Sequence, residues 1–244
     1  MTPAARLHGL RVLSREIVEC RRCARLVAFR ENVARVKRAA YRSETYWGRP
    51  VPGFGDSRAR IVLVGLAPGA HGANRTGRIF TGDRSGDFLY AALHRQRLAS
   101  QPQATSRDDG LVLHDVFITC PVRCVPPDNK PTPVEIETCA PYLSRELSAL
   151  RSARVLVALG AIAWKACLDH LERRGEAVPR PRPRFAHGAE ATIGRWVLLG
   201  SYHVSQQNTQ TGRLTAAMFD RIVRRAIVHA DRDSGPSTGR THLV

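Results

Sequence analysis

The cysteines are the residues whose spacing first suggests chemistry. Cys20 and Cys23 form a C-x2-C pair, and Cys124 and Cys139 bracket a proline-rich segment later in the chain. Two thiolates three positions apart can bind one metal centre from a single turn, and distant segments can complete a set of four ligands. Spacing does not separate zinc from a [4Fe–4S] cluster, and ordinary buried thiols are the structural alternative. The pattern therefore favours a metal centre and leaves its identity open.

A glycine-rich segment over residues 65–86 carries a second group of candidate side chains. It lacks the common glycine patterns of phosphate-binding loops, yet its glycines allow the backbone to approach a ligand closely. Phe80 offers a flat face on which a base can stack, and Asp83 is a carboxylate beside a glycine. Asp83 or Ser85 could instead be the N-cap of the helix that follows.

A third polar cluster covers residues 201–213, where His203 follows an apolar run and precedes small polar residues and Arg213. A histidine in this position can contact a nucleotide, or it can be a hydrogen-bonded structural residue.

Four short apolar runs predict the elements that position these clusters. They lie at residues 61–67, 116–119, 155–159 and 196–199. Because helical or loop-like sequence separates them, they predict a parallel sheet covered by helices on both faces. Ligands bind at the carboxyl ends of the strands in such sheets. The polar clusters at 67–86, 120–133 and 201–213 are therefore expected to meet at one edge.

The remaining sequence predicts the outline of the fold. Segment 5–40 is helical in character, 41–60 is a loop, and 86–98 is an amphipathic helix. The proline- and arginine-rich segment 173–190 predicts an exposed connection. The residues from 231 have no periodicity and are expected to be disordered.

Charge provides a clue to the partner. Lys and Arg number 38 against 21 Asp and Glu, a formal net charge of +17. Such an excess favours a polyanionic partner, although a merely solubilising surface is the alternative. The chain has no apolar run long enough to span a membrane and no apolar signal-like start, so a cytoplasmic location without disulfides is expected.

Three motifs together resemble the uracil-DNA glycosylase superfamily, and most of all its type-b branch, family 5. The stretches of sequence that carry this resemblance are GLAPGAHGANRTGRIFTGD, VRCVPPDNKPTPVEIETCAPYL and HVSQQNTQTGRLT, together with the early C-x2-C pair. The resemblance runs from about Cys20 to about Arg225.

The resemblance implies a three-layer α/β/α sandwich with a four-stranded parallel sheet. We expect one domain over residues 1–230, a disordered tail at 231–244, and a monomer. A [4Fe–4S] cluster held by Cys20, Cys23, Cys124 and Cys139 is implied. So is excision from DNA of uracil and other deaminated or damaged bases. A non-catalytic nucleic-acid-binding protein on the same fold is the main alternative, and a zinc protein of unknown substrate is another.

The resemblance and the chemistry of the side chains together assign candidate roles. Related branches carry an acidic residue close to Ala67, which is apolar here, so Asp83 is the matching carboxylate, with His203 as its catalytic companion. Relatives often have Asn in place of Cys120, and a thiol reads a base edge poorly, which predicts a permissive pocket. The base-binding candidates are Ala67, Gly69, His71, Phe80 and Cys120. The DNA-binding candidates are Asn74, Arg75, Arg78, Ser205, Gln206, Gln207, Asn208 and Arg213.

Overall fold

The fold is given by a computed structural model that describes residues 3–232. Within them, the α-helices are α1 (Pro3–Val18), α2 (Ala24–Val36), α3 (Ala73–Thr76), α4 (Arg84–Arg95), α5 (Pro133–Ala149), α6 (Ala161–Arg173), α7 (Gln206–Gln210) and α8 (Ala216–Arg232). Short 3₁₀ turns lie at Ala39–Tyr41 and Pro127–Asn129. None of the helices in this range is long and apolar enough to cross a membrane.

One sheet forms the centre of the fold. Its strands are β1 (Phe54–Gly55), β2 (Ile61–Val64), β3 (Val116–Thr119), β4 (Val155–Leu159), β5 (Glu190–Ile193) and β6 (Trp196–Ser201), in the spatial order β1-β3-β2-β4-β6-β5. The inner four strands are parallel, whereas β1 and β5 pair antiparallel at the two edges. The four apolar runs of the sequence contain or begin these parallel strands, and within residues 3–232 the sheet has six strands rather than four.

Helices cover both faces of the sheet, and the β2 side chains on both faces are buried beneath them. Ile61 and Leu63 pack in a cluster with residues of α4 and α8. Val62 and Val64 point the other way and pack with residues of α1, α5 and α6. Every β2 side chain is buried, which explains why the strand is a continuous apolar run. The α/β class is confirmed, with helices in two outer layers.

Local signals account for the differences at helix ends. The helix predicted over 86–98 begins at Arg84, because the Asp83 side chain accepts a hydrogen bond from the Gly86 backbone N–H and caps it. Helix α5 begins with a capping box between Thr132 and Glu135. The tail predicted from 231 lies outside the described residues, except for Asp231 and Arg232, which end α8.

Candidate functional site

A cleft of about 380 Å³ opens at the carboxyl ends of β2, β3 and β6. The three polar clusters of the sequence supply its walls, as predicted. Its lining residues are Leu66, Ala67, Gly69, Ile79, Phe80, Asp83, Ser85, Asp128, Asn129, His203, Ser205 and Gln207.

Asp83 is the carboxylate of the cleft, and it is also the N-cap of α4. One oxygen, Oδ1, accepts the Gly86 backbone N–H at 3.0 Å. The other, Oδ2, lies against the glycine loop, where a Cβ added to Gly72 would stand only 1.8 Å from it. Burial raises the pKa of Asp83. Gly72 therefore leaves room for the Asp83 carboxylate, which is partly removed from solvent.

Phe80 stands in the wall of the cleft in a strained conformation. Its backbone φ is +51°, a left-handed value that costs a bulky residue free energy and persists only where the surroundings enforce it. A Cβ on Gly65 would approach the Phe80 ring to 2.9 Å, and one on Gly86 would approach the Phe80 carbonyl oxygen to 1.9 Å. The absence of side chains at Gly65 and Gly86 thus allows Phe80 to occupy this position at the carboxyl end of β2.

His203 faces Phe80 from the end of β6. The two ring centroids are 6.1 Å apart, and the rings are tilted by 37°. Burial lowers the pKa of His203 to about 4, so the imidazole is neutral near pH 7 and has one N–H to donate. Its backbone carbonyl accepts a hydrogen bond from the Asn208 side chain at 2.8 Å, which ties the strand end to α7.

Asn129 and Asp128 are cleft residues that the sequence analysis missed. They follow β3, and their φ values are +56° and +53°. Asn and Asp are the residues that adopt such angles most readily outside glycine, so the Asp-Asn pair between prolines in PPDNKP was the available signal. An amide able both to donate and to accept hydrogen bonds stands here.

Cys120, expected to read the base, has a different position. It is fully buried in the core, its thiol donates to the Val122 carbonyl oxygen at 3.0 Å, and burial raises its pKa to about 12. It is not among the residues that line the cleft, so its thiol packs behind the wall.

A second groove, next to the cleft, contains His71. This groove has a volume of about 540 Å³ and includes the exposed Arg38 and Arg84. The His71 Nδ1 atom is 2.9 Å from the Tyr46 hydroxyl, and burial, with two nearby arginines, lowers the His71 pKa. His71 therefore belongs to the groove rather than to the wall around Phe80.

Three predicted DNA contacts are internal instead, which corrects that expectation. Arg78 is 4% exposed, and its guanidinium forms two hydrogen bonds to Asp109, at 2.8 and 2.6 Å. Arg75 donates to the Gly82 carbonyl at 2.7 Å and pairs with Glu44. Asn74 is fully buried, and its amide donates to a backbone carbonyl of α2. These side chains hold the loop in shape and are not free for phosphates.

The candidates around α7 are nearer the surface. Ser205 caps α7 and, with Gln207, lines the cleft. Gln206 is exposed in the groove. The exposed Arg213 guanidinium stacks 4.6 Å from the Tyr202 ring centroid. This loop and the groove supply exposed polar and cationic groups beside the cleft.

Four of the cysteines line one cavity between the α1–α2 connection, α2, α5 and the loop after β3. They are Cys20, Cys23, Cys124 and Cys139, whereas Cys120 and Cys167 are not part of its lining. All six thiols are free. Within residues 3–232, no three His, Cys, Asp or Glu side chains meet closely enough to hold a single metal ion. The four cysteines thus contribute to the lining of one cavity.

Comparisons with known proteins agree with this geometry. The family model described as "Uracil DNA glycosylase superfamily" matches residues 52–226. A type-5 uracil-DNA glycosylase of Thermus thermophilus is 55% identical over 211 residues, 86% of this chain and 93% of the relative. One from Mycobacterium tuberculosis is 54% identical over 209 residues, 85% of this chain and 76% of the relative. One from Pyrobaculum aerophilum is 45% identical over 214 residues, 88% and 90% of the two chains. The chain therefore belongs to the uracil-DNA glycosylase superfamily, in its type-5 branch.

Proposed function

We propose that the protein is a DNA glycosylase that hydrolyses the N-glycosidic bond between uracil and its deoxyribose. The observation that carries this proposal is the cleft in which a half-buried carboxylate, an aromatic face and a neutral histidine line the same space. Membership of the family, and relatives that are named uracil-DNA glycosylases, support it. We extend it to other deaminated bases, a range that stays a prediction.

Cleavage of an N-glycosidic bond develops positive charge on the sugar and negative charge on the departing base. Asp83 acts at the sugar end. Its Oδ1 is committed to the helix cap, so its second oxygen is the one that orients a water molecule and stabilises the cationic sugar. The ionised form is required for both tasks.

At the base end, Phe80, His203 and Asn129 have complementary roles. Phe80 stacks on the base once it has left the duplex. The neutral His203 donates its N–H to the base oxygen that gains charge, which is the kind of preorganised donor that lowers such barriers. The Asn129 amide can pair with a donor and an acceptor on the base edge. The apolar Ala67 adds no hydrogen bond, which favours a permissive pocket.

The base must leave the duplex before it can enter the cleft. Extrusion costs a few kcal/mol of unstacking and unpairing, and least for a mismatched base, which itself favours damaged sites. The segment from Ser205 to Asn208, which forms the start of α7, lies at the rim and is our candidate for the wedge that fills the gap. The exposed Arg38, Arg84 and Arg213 replace the buried arginines as phosphate contacts. A monomeric state and a cytosolic location complete the proposal.

We further propose that Cys20, Cys23, Cys124 and Cys139 hold a [4Fe–4S] cluster. Two observations support the fit: the four cysteines share one cavity, and the same cavity is lined by Arg30 and Arg123, which have buried N–H groups without acceptors in the described chain. When bound, the cluster would cross-link four segments of the chain, a structural role.

Replacing Cys23 by Ala tests the cofactor directly. We expect the variant to lose iron and sulfide together with the brown absorption at about 400 nm that thiolate-bound iron gives, and to unfold or aggregate. Zinc in place of iron, or four cysteines without any metal, would contradict the cluster.

A base-panel excision assay tests the function. Duplexes that carry uracil, hypoxanthine or xanthine opposite each normal base would be incubated with excess enzyme, and abasic sites would be counted. We expect release of uracil, with hypoxanthine and xanthine also cut. Specific binding to uracil-containing duplex without base release would instead support a non-catalytic DNA-binding protein.

A further inference from the structure

Two buried cations line the cavity that the four cysteines share. Arg30 is 2% exposed and Arg123 is 1% exposed, and both belong to its lining. A buried charge is costly unless paired and hydrogen-bonded.

Arg30 comes from α2 and reaches the cysteines from one side. Its Nη1 donates to the Cys124 sulfur at 3.0 Å and to the Cys20 carbonyl oxygen at 3.1 Å. Its Nη2 lies 3.7 Å from a carboxylate oxygen of the half-exposed Glu31. The Nε–H is buried and has no acceptor among residues 3–232.

Arg123 precedes Cys124 and has one anionic partner. Its Nη2 donates to the Glu146 Oε2 atom at 2.7 Å. That carboxylate is shared, because it also accepts the Thr119 hydroxyl and, at 3.0 Å through Oε1, the Gly53 N–H. The Nε and Nη1 groups of Arg123 are buried and find no acceptor in the described chain.

Arg78 shows that this fold can satisfy a buried arginine. At 4% exposure, its Nε donates to Thr81, and both terminal nitrogens donate to Asp109. Arg30 and Arg123 instead line the cysteine cavity and have buried N–H groups that find no acceptor in the described chain. Neutral thiols are weak acceptors, whereas metal-bound thiolates and sulfides carry negative charge.

We propose that Arg30 and Arg123 are the counter-charges of an anionic metal–thiolate cofactor in this cavity. Four thiolates outweigh the positive charge of an iron–sulfur core, so the centre is an anion that two cations offset. Hydrogen bonds and charges around the sulfurs set the reduction potential and stability of such centres. The inference rests on the cofactor proposed above and adds the two side chains that stabilise its charge.

The test compares charge-removing and charge-conserving variants of the loaded protein. Arg30→Gln and Arg123→Gln remove a cation, while Arg30→Lys and Arg123→Lys keep it. We expect the Gln variants to lose iron to a chelator about tenfold faster or more. Their reduction potential should fall, because an anionic centre without its cation accepts an electron less readily. The Lys variants should stay near wild type in potential.

Glu146→Gln provides an opposite prediction that does not depend on the arginine variants folding. It removes the carboxylate that partly neutralises Arg123, so the potential should rise. Iron-containing Gln variants with unchanged potential and unchanged iron release would overturn the inference and leave the cofactor standing. A wild-type protein without iron and sulfide would refute the cofactor itself. Both results leave the excision activity to be judged by its own assay.

Discussion

Asp83 meets two demands with one side chain. Its Oδ1 atom caps α4, and its Oδ2 atom lies beside the glycine loop. From the sequence these two roles are alternatives, but in the structure one carboxylate caps the helix through Oδ1 and also lines the cleft. Because the raised pKa reports that burial disfavours the ionised form, the charge that the reaction needs is kept at a cost to the fold.

Asp83→Asn separates the cap from the charge. Asn caps helices about as well as Asp, so the helix should begin as before. We expect single-turnover excision to fall by about two orders of magnitude or more. A raised folded-state pKa means that ionisation costs stability above the pKa of the unfolded chain, so at pH 7 the variant should melt at or above the wild-type temperature. Excision by Asp83→Asn at the wild-type rate would show that another group performs this role.

The pH dependence of excision distinguishes Asp83 from His203. The rate should fall toward acid as Asp83 takes up a proton, at a pH above that expected for an exposed aspartate, about 3.9. His203, with its pKa lowered to about 4, should add no step near neutral pH. His203→Ala should lower the excision rate less than Asp83→Asn does. The fall in rate toward acid pH should remain in this variant. If the wild-type rate instead changed at about pH 6.5, and this change disappeared in His203→Ala, the titrating group would be the histidine.

At the scale of elements, the sequence predicted what depends on periodicity and missed what depends on tertiary contacts. The runs at 116–119 and 155–159 became strands with the same bounds, because a buried parallel strand is apolar throughout. Arg78 was misassigned because no local pattern reveals that Asp109, 31 residues later, binds it. Cys120 was misplaced for the same reason: the end of β3 turns its thiol into the core.

Gly72→Ala tests how the glycine loop positions the carboxylate. The new Cβ would stand 1.8 Å from Asp83 Oδ2, so the carboxylate must move out of place. We expect a folded protein whose excision falls toward that of Asp83→Asn. Gly9→Ala is the matched control, because a Cβ there meets nothing within 4 Å on α1.

The double variant Gly72→Ala, Asp83→Asn makes this prediction sharper. If the loop acts only through the carboxylate, the two losses should not add, as holds for residues in contact. Single-turnover rates of the four proteins form the cycle. Fully additive losses would mean that Gly72 contributes through another route, such as contact with the DNA.

At the scale of the whole molecule, the question is where the excess positive charge acts. The formal charge is +17, yet Arg30, Arg75, Arg78 and Arg123 are buried and paired or enclosed. The cations that can meet a phosphate are exposed ones. Arg38 and Arg84 flank the cleft at the carboxyl ends of the strands, whereas Arg151 is exposed just before β4, at the amino ends. The fold therefore predicts that only part of the charge contributes to DNA binding.

Salt dependence of DNA binding measures that part. In the Asp83→Asn background, which avoids turnover, log Kd for a uracil duplex should rise steeply with log salt, by about 0.9 for each phosphate neutralised. Arg84→Gln should reduce this slope by about one, because it removes a phosphate contact at the rim of the cleft. Arg151→Gln removes the same charge at the opposite edge of the sheet and should leave the slope unchanged. Equal changes of slope in the two variants would mean that duplex binding depends on net charge alone. If log Kd of the parent protein did not change with salt, its positive surface would not be a DNA-binding surface.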